Sequence, residues 1–125
     1  MHDNDLGDLK LFKAHWEAAA PKLFGEQAFS ISGVGRNTGP TPTQKSTLDF
    51  VKANADELTR LAIAAVKAAA ADLQPDDLRA SAIFLHEEPD SFELSLDSQA
   101  CAAAMPDGVA VSFTGKQIDE VEFVH

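Results

Sequence analysis

Basic residues are scarce in this chain. Ten Lys plus Arg stand against 20 Asp plus Glu in 125 residues, a formal charge of -10. Such an excess repels phosphate backbones and anionic headgroups, which excludes nucleic-acid binding through a basic face and disfavours binding to acidic membranes. Cysteine is almost missing as well: Cys101, the single one, excludes an internal disulfide and a four-cysteine zinc site and fits a reducing compartment. No long apolar run exists. Leu61 to Ala71 contains Lys67 and falls short of the roughly 20 residues that span a bilayer. Met1-His2-Asp3-Asn4-Asp5 is acidic where a signal peptide is basic and then apolar. These absences lead to the expectation of one soluble cytoplasmic domain over residues 1–125, with 45% hydrophobic residues to build its core.

The clearest local signal opens at Thr41-Pro42-Thr43-Gln44. Thr at the N-cap, Pro at N1 and Gln at N3 reproduce a capping box that satisfies the first unpaired helical amides. Leu48, Val51, Ala55, Leu58, Ala62, Ala65 and Ala69 then recur at +3 and +4 steps, an apolar stripe along a helix. The pattern predicts one long helix to about Asp72, ended by Pro75. Asn54-Ala55-Asp56-Glu57 is a second capping-box-like sequence, where a kink or break fits the cap preference.

Beyond the polar connector Gln74 to Arg79 the period changes from helical to alternating. Ile83 and Leu85 face one way, Phe84 and His86 the other. Glu87-Glu88-Pro89-Asp90-Ser91 carries turn chemistry, and Phe92, Leu94 and Leu96 alternate with Glu93, Ser95 and Asp97, so a hairpin is expected. Val109, Val111 and Phe113, a two-residue Gly115-Lys116 turn, then Ile118, Val121 and Phe123 make a second hairpin. The three-residue step from Ile118 to Val121 implies a bulge near Asp119-Glu120. Ser98 to Met105 is Ala-rich and is read as one helical turn. The N-terminal third supports two readings: a helical stripe of Leu9, Phe12, Trp16, Ala19 and Leu23 interrupted by Pro21, or strands over 9–18 and 27–32.

The landmarks Leu6-Gly7-Asp8-Leu9, Trp16-Glu17, Phe29-Ser30-Ile31, Thr43-Gln44 and two closing hairpins occur in that order. In this order the chain resembles a widespread bacterial family of small domains of unknown function, some of which sit beside toxin genes and look like immunity proteins. The resemblance spans most of the chain and implies an N-terminal strand pair and a helix opening at Gln44. It departs at Ala102 to Gly108, where only the glycine matches the Trp-Asp and His-Gly steps common in that family. The fold expected is therefore α+β: an antiparallel sheet of about four to six strands on one long amphipathic helix, order ββαββββ. Small helix residues (Ala55, Ala62, Ala65, Ala69) would face bulky sheet residues (Phe84, Phe92, Leu94, Leu96, Val111, Phe113).

No catalytic, cofactor or metal set emerges. Gly33-Val34-Gly35-Arg36-Asn37-Thr38-Gly39 sits where backbone amides cradle phosphate, but its spacing is not that of a P-loop and no Lys-Ser or Lys-Thr follows, so it reads as a strand-to-helix loop. His86-Glu87-Glu88 with Asp90 contains ligand and acid–base residue types without the paired spacing that makes metal motifs specific. His15 and His125 are isolated, and Cys101 has no basic neighbour to activate it. Trp16, the only tryptophan, is a core anchor if buried and an interface residue if exposed.

Glu87, Glu88, Asp90 and Glu93 crowd one hairpin; Asp119, Glu120 and Glu122 crowd the last strand. With Trp16 they are the candidate partner-binding residues. The leading functional expectation is a non-enzymatic, immunity-like binding module that engages a basic protein through these carboxylates. The alternatives are a small hydrolase or metal-dependent enzyme centred on His86 and Glu88, and a structural homodimer.

Overall fold

The computed structural model describes residues 2–3, 7–20, 29–35, 39–69, 78–98 and 108–123. Strands β1 (His2–Asp3) and β2 (Gly7–Asp8) form a small antiparallel pair of their own. The main sheet has seven strands in chain order: β3 (Lys10–Leu11), β4 (His15–Ala20), β5 (Phe29–Val34), β6 (Arg79–Leu85), β7 (Ser91–Asp97), β8 (Val109–Thr114) and β9 (Gln117–Phe123). Helices α1 (Pro42–Ala53) and α2 (Ala55–Ala69) lie between β5 and β6.

This overturns the expected antiparallel sheet of four to six strands on one long helix. The sheet is mixed, because β5 and β6 are parallel neighbours while every other adjacent pair is antiparallel. A helical crossover returns the chain to the starting end of the strand it left, so strands joined through it run parallel. Short turns join the hairpins on either side and reverse direction.

The helix is also two helices. Thr41 caps α1 as expected, its Oγ1 accepting from the Gln44 amide at 3.1 Å while its own amide donates to Gln44 Oε1 at 3.0 Å. At Asn54 the regular ladder stops: its backbone N–H reaches both Phe50 and Val51 carbonyls, and its Nδ2 donates to Phe50 O at 2.9 Å. A side chain that competes for a helical carbonyl favours a cap over a helix interior. Asp56 and Glu57 then occupy the first turn of α2, where the helix dipole favours negative charge. The buried stripe carries on across the break, Leu48 and Val51 on α1 followed by Leu58, Ala62 and Val66 on α2; at its end Val66 takes the place expected of Ala65, which is half-buried, and Ala69 is exposed. The continuation to Asp72, the connector from Gln74, the Ala-rich turn at Ser98 to Met105 beyond Ser98 itself, and Cys101 lie outside the described residues.

For the N-terminal third the strand reading is right in kind but not in bounds: residues 9–18 are not one strand, since β3 and β4 fold back on each other as an antiparallel pair, β4 runs on to Ala20, and its next partner is Phe29–Val34. His15–Ala20 pairs along its whole length with Phe29–Val34, which the helical stripe through Trp16 and Ala19 does not allow. Both helices cover one face of the sheet. That face carries Trp16, Ile31, Ile83, Leu85, Phe92, Leu94, Leu96, Val109, Val111 and Phe113, all buried. Phe92 and Phe113, directly opposed across β7 and β8, stack with ring centroids 5.0 Å apart. Phe84, expected among the core residues, instead points to the opposite face with its neighbours Ile83 and Leu85 in the core, as alternation along a strand requires.

The two turns at one end of the sheet are bound together. Glu88-Pro89-Asp90-Ser91 closes with a Ser91 N–H to Glu88 O bond of 3.3 Å and has Asp90 at φ 56, the pattern of a type II turn with proline at the second position. The Asp90 amide donates to Thr47 Oγ1 on α1 at 3.0 Å, and the Asp90 carbonyl accepts from the Gly115 amide at 2.8 Å. Gly115, at φ 60, leads the two-residue β8–β9 turn, as a type II′ hairpin needs. The β8–β9 register shifts so that Ile118 opposes Phe113 while Glu120 opposes Ser112, which leaves Asp119 as the extra residue. Positive φ costs an L-residue with a side chain. We therefore expect Asp90→Gly to raise stability by about 0.5 kcal/mol and Asp90→Val to lower it by about 1–2 kcal/mol. Urea midpoints check both, and a destabilising Asp90→Gly would show that the carboxylate itself supports the turn.

Candidate functional site

Strand register determines which of the candidate residues meet. Glu17, Ser32, Phe84, Glu93, Ser112 and Glu120 form one row across β4 to β9 on the face opposite the helices. The adjacent row holds Ala82, Ser95, Ala110 and Glu122. Glu93 and Glu120 thus flank Ser112, whose hydroxyl donates to Glu93 Oε1 at 3.4 Å. Arg79 opposes Asp97 at the far corner of this face.

Glu87, Glu88 and Asp90 are exposed in the β6–β7 turn. They sit at the sheet end that also holds Asp119, which accepts from Thr114 Oγ1 at 2.6 Å. The seven carboxylates therefore divide between two places: Glu93, Glu120 and Glu122 share the sheet face opposite the helices, and Glu87, Glu88, Asp90 and Asp119 belong to the turn end of the sheet. Among the described residues, Lys116 pairs with Glu57 at 2.8 Å and His15 Nε2 lies 3.2 Å from Glu17 Oε1.

Trp16 leaves the set. It is 0% exposed, and its indole Nε1 donates to Gln44 Oε1 at 3.1 Å, so it anchors the core and cannot touch a partner. Gln44, which the sequence marks only as a capping residue, proves to be the junction of the fold. Its Nε2 donates to Val34 O at 2.8 Å and to Leu85 O at 3.4 Å. One fully buried amide thereby ties β4, β5, β6 and the start of α1 together.

The strand alternation that would align His86 with Glu88 ends at Leu85. His86 packs edge-on against Phe84 with centroids 5.4 Å apart, while Glu88 is exposed in the turn. Among the described residues no three His, Cys, Asp or Glu side chains converge to hold a metal ion. His15, isolated in sequence, is paired in space: it stacks on Phe12 at 4.5 Å and meets Glu17, two residues along the same strand face. The signal for that contact was the i, i+2 spacing once the segment is a strand. The glycine loop has its centre, residues 36–38, outside the described residues. An open depression between the first turn of α1 and the β6–β7 turn is lined by Pro42, Thr43, Ser46, Thr47, Pro89 and Asp90. No described helix is long and apolar enough to cross a membrane.

Compared with family models, curated proteins and solved structures, the chain finds no match.

Proposed function

We propose that this protein is a non-enzymatic binding module that engages a basic protein through carboxylates of the β6–β9 half of its sheet, consistent with the immunity-like role that the sequence resemblance implies. The supporting observation is the placement of Glu87, Glu88, Glu93, Glu120 and Glu122 on one turn end and one sheet face. Clustered charge of one sign raises the local potential and accelerates encounter with an oppositely charged surface. The edges of the sheet disfavour self-pairing instead. One edge strand, β3, has two residues; the other, β9, carries Asp119, Glu120 and Glu122 and a bulge, devices that block strand addition.

A pull-down from cell lysate at low and at high salt tests this reading. A basic protein is expected to be retained at low salt and released at high salt. Against that partner, replacing Glu87, Glu88, Asp90 and Glu93 by their amides is expected to slow association on the order of tenfold. Affinity and on-rate unchanged by those four substitutions would show the surface assignment to be wrong.

A further inference from the structure

We propose that the sheet face opposite the helices, over β6–β9, is where the partner docks, and that the contacting side of its segment carries both basic and apolar side chains, the apolar ones covering Phe84. The inference rests on the binding-module reading above and adds the place and the chemistry of the contact.

The composition of the face carries the argument. Phe84 stands half-buried in its middle, with His86 as its ring neighbour among the described residues. The register places Ser32 and Glu93 directly beside it, with Ala82, Ser95, Ser112 and Ala110 around them; of these only Glu93 is long enough to lie over a phenyl ring. A partner can approach this floor closely and bury the ring, the arrangement of an aromatic anchor inside a polar rim. Glu93, Glu120 and Glu122 form that rim on the β7–β9 side, with Arg79 against Asp97 at one corner. In an extended segment every second side chain faces the same way, so one whose i, i+2, i+4 positions mix cations with apolar groups can present the former to the carboxylates and the latter to Phe84.

A second copy of this chain does not fit as occupant. Face-to-face association would bring together two faces that each carry Glu17, Glu93, Glu120 and Glu122, and the repulsion between two such acidic surfaces is unfavourable. The helix-covered face is the packed core. A cationic segment is the occupant whose charge complements the rim.

The test uses the full chain, isotope-labelled, and two ten-residue probes, an Arg/Leu peptide that repeats Arg-Ser-Leu-Ser, so that Arg and Leu share one side when extended, and an Arg/Ser peptide that repeats Arg-Ser-Ser-Ser. At low salt the Arg/Leu peptide is expected to bind more tightly and to shift amide signals of Ala82, Phe84, Ser95, Ala110 and Ser112. Phe84→Ser is expected to weaken the Arg/Leu peptide about tenfold and to leave the Arg/Ser peptide within about twofold. Ser112→Arg, an outward change between two glutamates that leaves the core untouched, is expected to weaken both. Should the shifts fall on residues 87–90 or on the helices, the docking face is wrong while the basic-partner reading survives. Should neither peptide bind at low salt, that reading fails and this inference with it. Equal affinity of the two peptides for the unaltered protein would remove Phe84 as anchor.

Discussion

Gln44→Ala is expected to destabilise the protein by about 4 kcal/mol, the sum of several buried polar groups left without partners at roughly 1–3 kcal/mol each less what local relaxation recovers. The Trp16 indole N–H, the Thr41 amide and the Val34 and Leu85 carbonyls all bond to this one side chain. Native domains hold only about 5–15 kcal/mol in total, so the loss is a large share. Gln44→Glu discriminates the mechanism. It keeps an acceptor for Trp16 and Thr41 but turns an oxygen toward two carbonyl oxygens. Desolvation and those dipoles would raise the introduced carboxyl's pKa in the folded state above its unfolded value near ~4.3. The linkage sign follows: the unfolded state gives up its proton first, so the penalty grows as pH rises through that value and is relieved as pH falls toward about 4. Urea denaturation of the three proteins across pH checks this. A loss under about 1 kcal/mol for Gln44→Ala would refute the junction role.

Gly33→Ala is the second large effect. Gly33 opposes Trp16 in the β4–β5 register, and a Cβ there would lie 2.6 Å from the indole ring. The ring cannot withdraw freely, because its Nε1 is held by Gln44 and the whole side chain is buried. Overpacking of this kind costs about 1–3 kcal/mol, and the rigidity of the site argues for the upper end. In a Trp16→Leu background the added methyl meets no ring, so Gly33→Ala should cost less than about 1 kcal/mol there. The cycle therefore predicts a coupling on the order of 2 kcal/mol. Additive effects of the two substitutions would mean that Gly33 is needed for another reason, such as the backbone of β5.

The same residues mark how much was legible beforehand. Thr41 and Gln44 were readable as a capping box because both of its bonds close within four residues. The other three bonds of Gln44 reach residues 28, 10 and 41 positions away, and no local pattern encodes them. Trp16 was ambiguous for that reason: its spacing fits a helix or a strand, and only pairing with β5 and a buried acceptor on α1 chose between them. Of the candidate site, the turn acids Glu87, Glu88 and Asp90 were placed correctly as a solvated hairpin end. The row through Phe84, Glu93, Ser112 and Glu120 needed three strand registers to appear, and the same registers place Glu122 of the edge strand β9 on that face.

What the sequence by itself determined is local and periodic: the start of α1, the alternation of β6 to β9, the Pro89-Asp90 and Gly115-Lys116 turns, the extra residue at Asp119, and the excess of negative charge. These depend on caps, φ preferences and a period of two, all settled within a few residues of chain. The tertiary structure alone decided that residues 10–11, 15–20 and 29–34 are strands of the main sheet, that β5 and β6 run parallel, and which carboxylates share a surface. Each of those is chosen by contacts between segments far apart in the chain, where burial of a common core outweighs the nearly balanced local preferences.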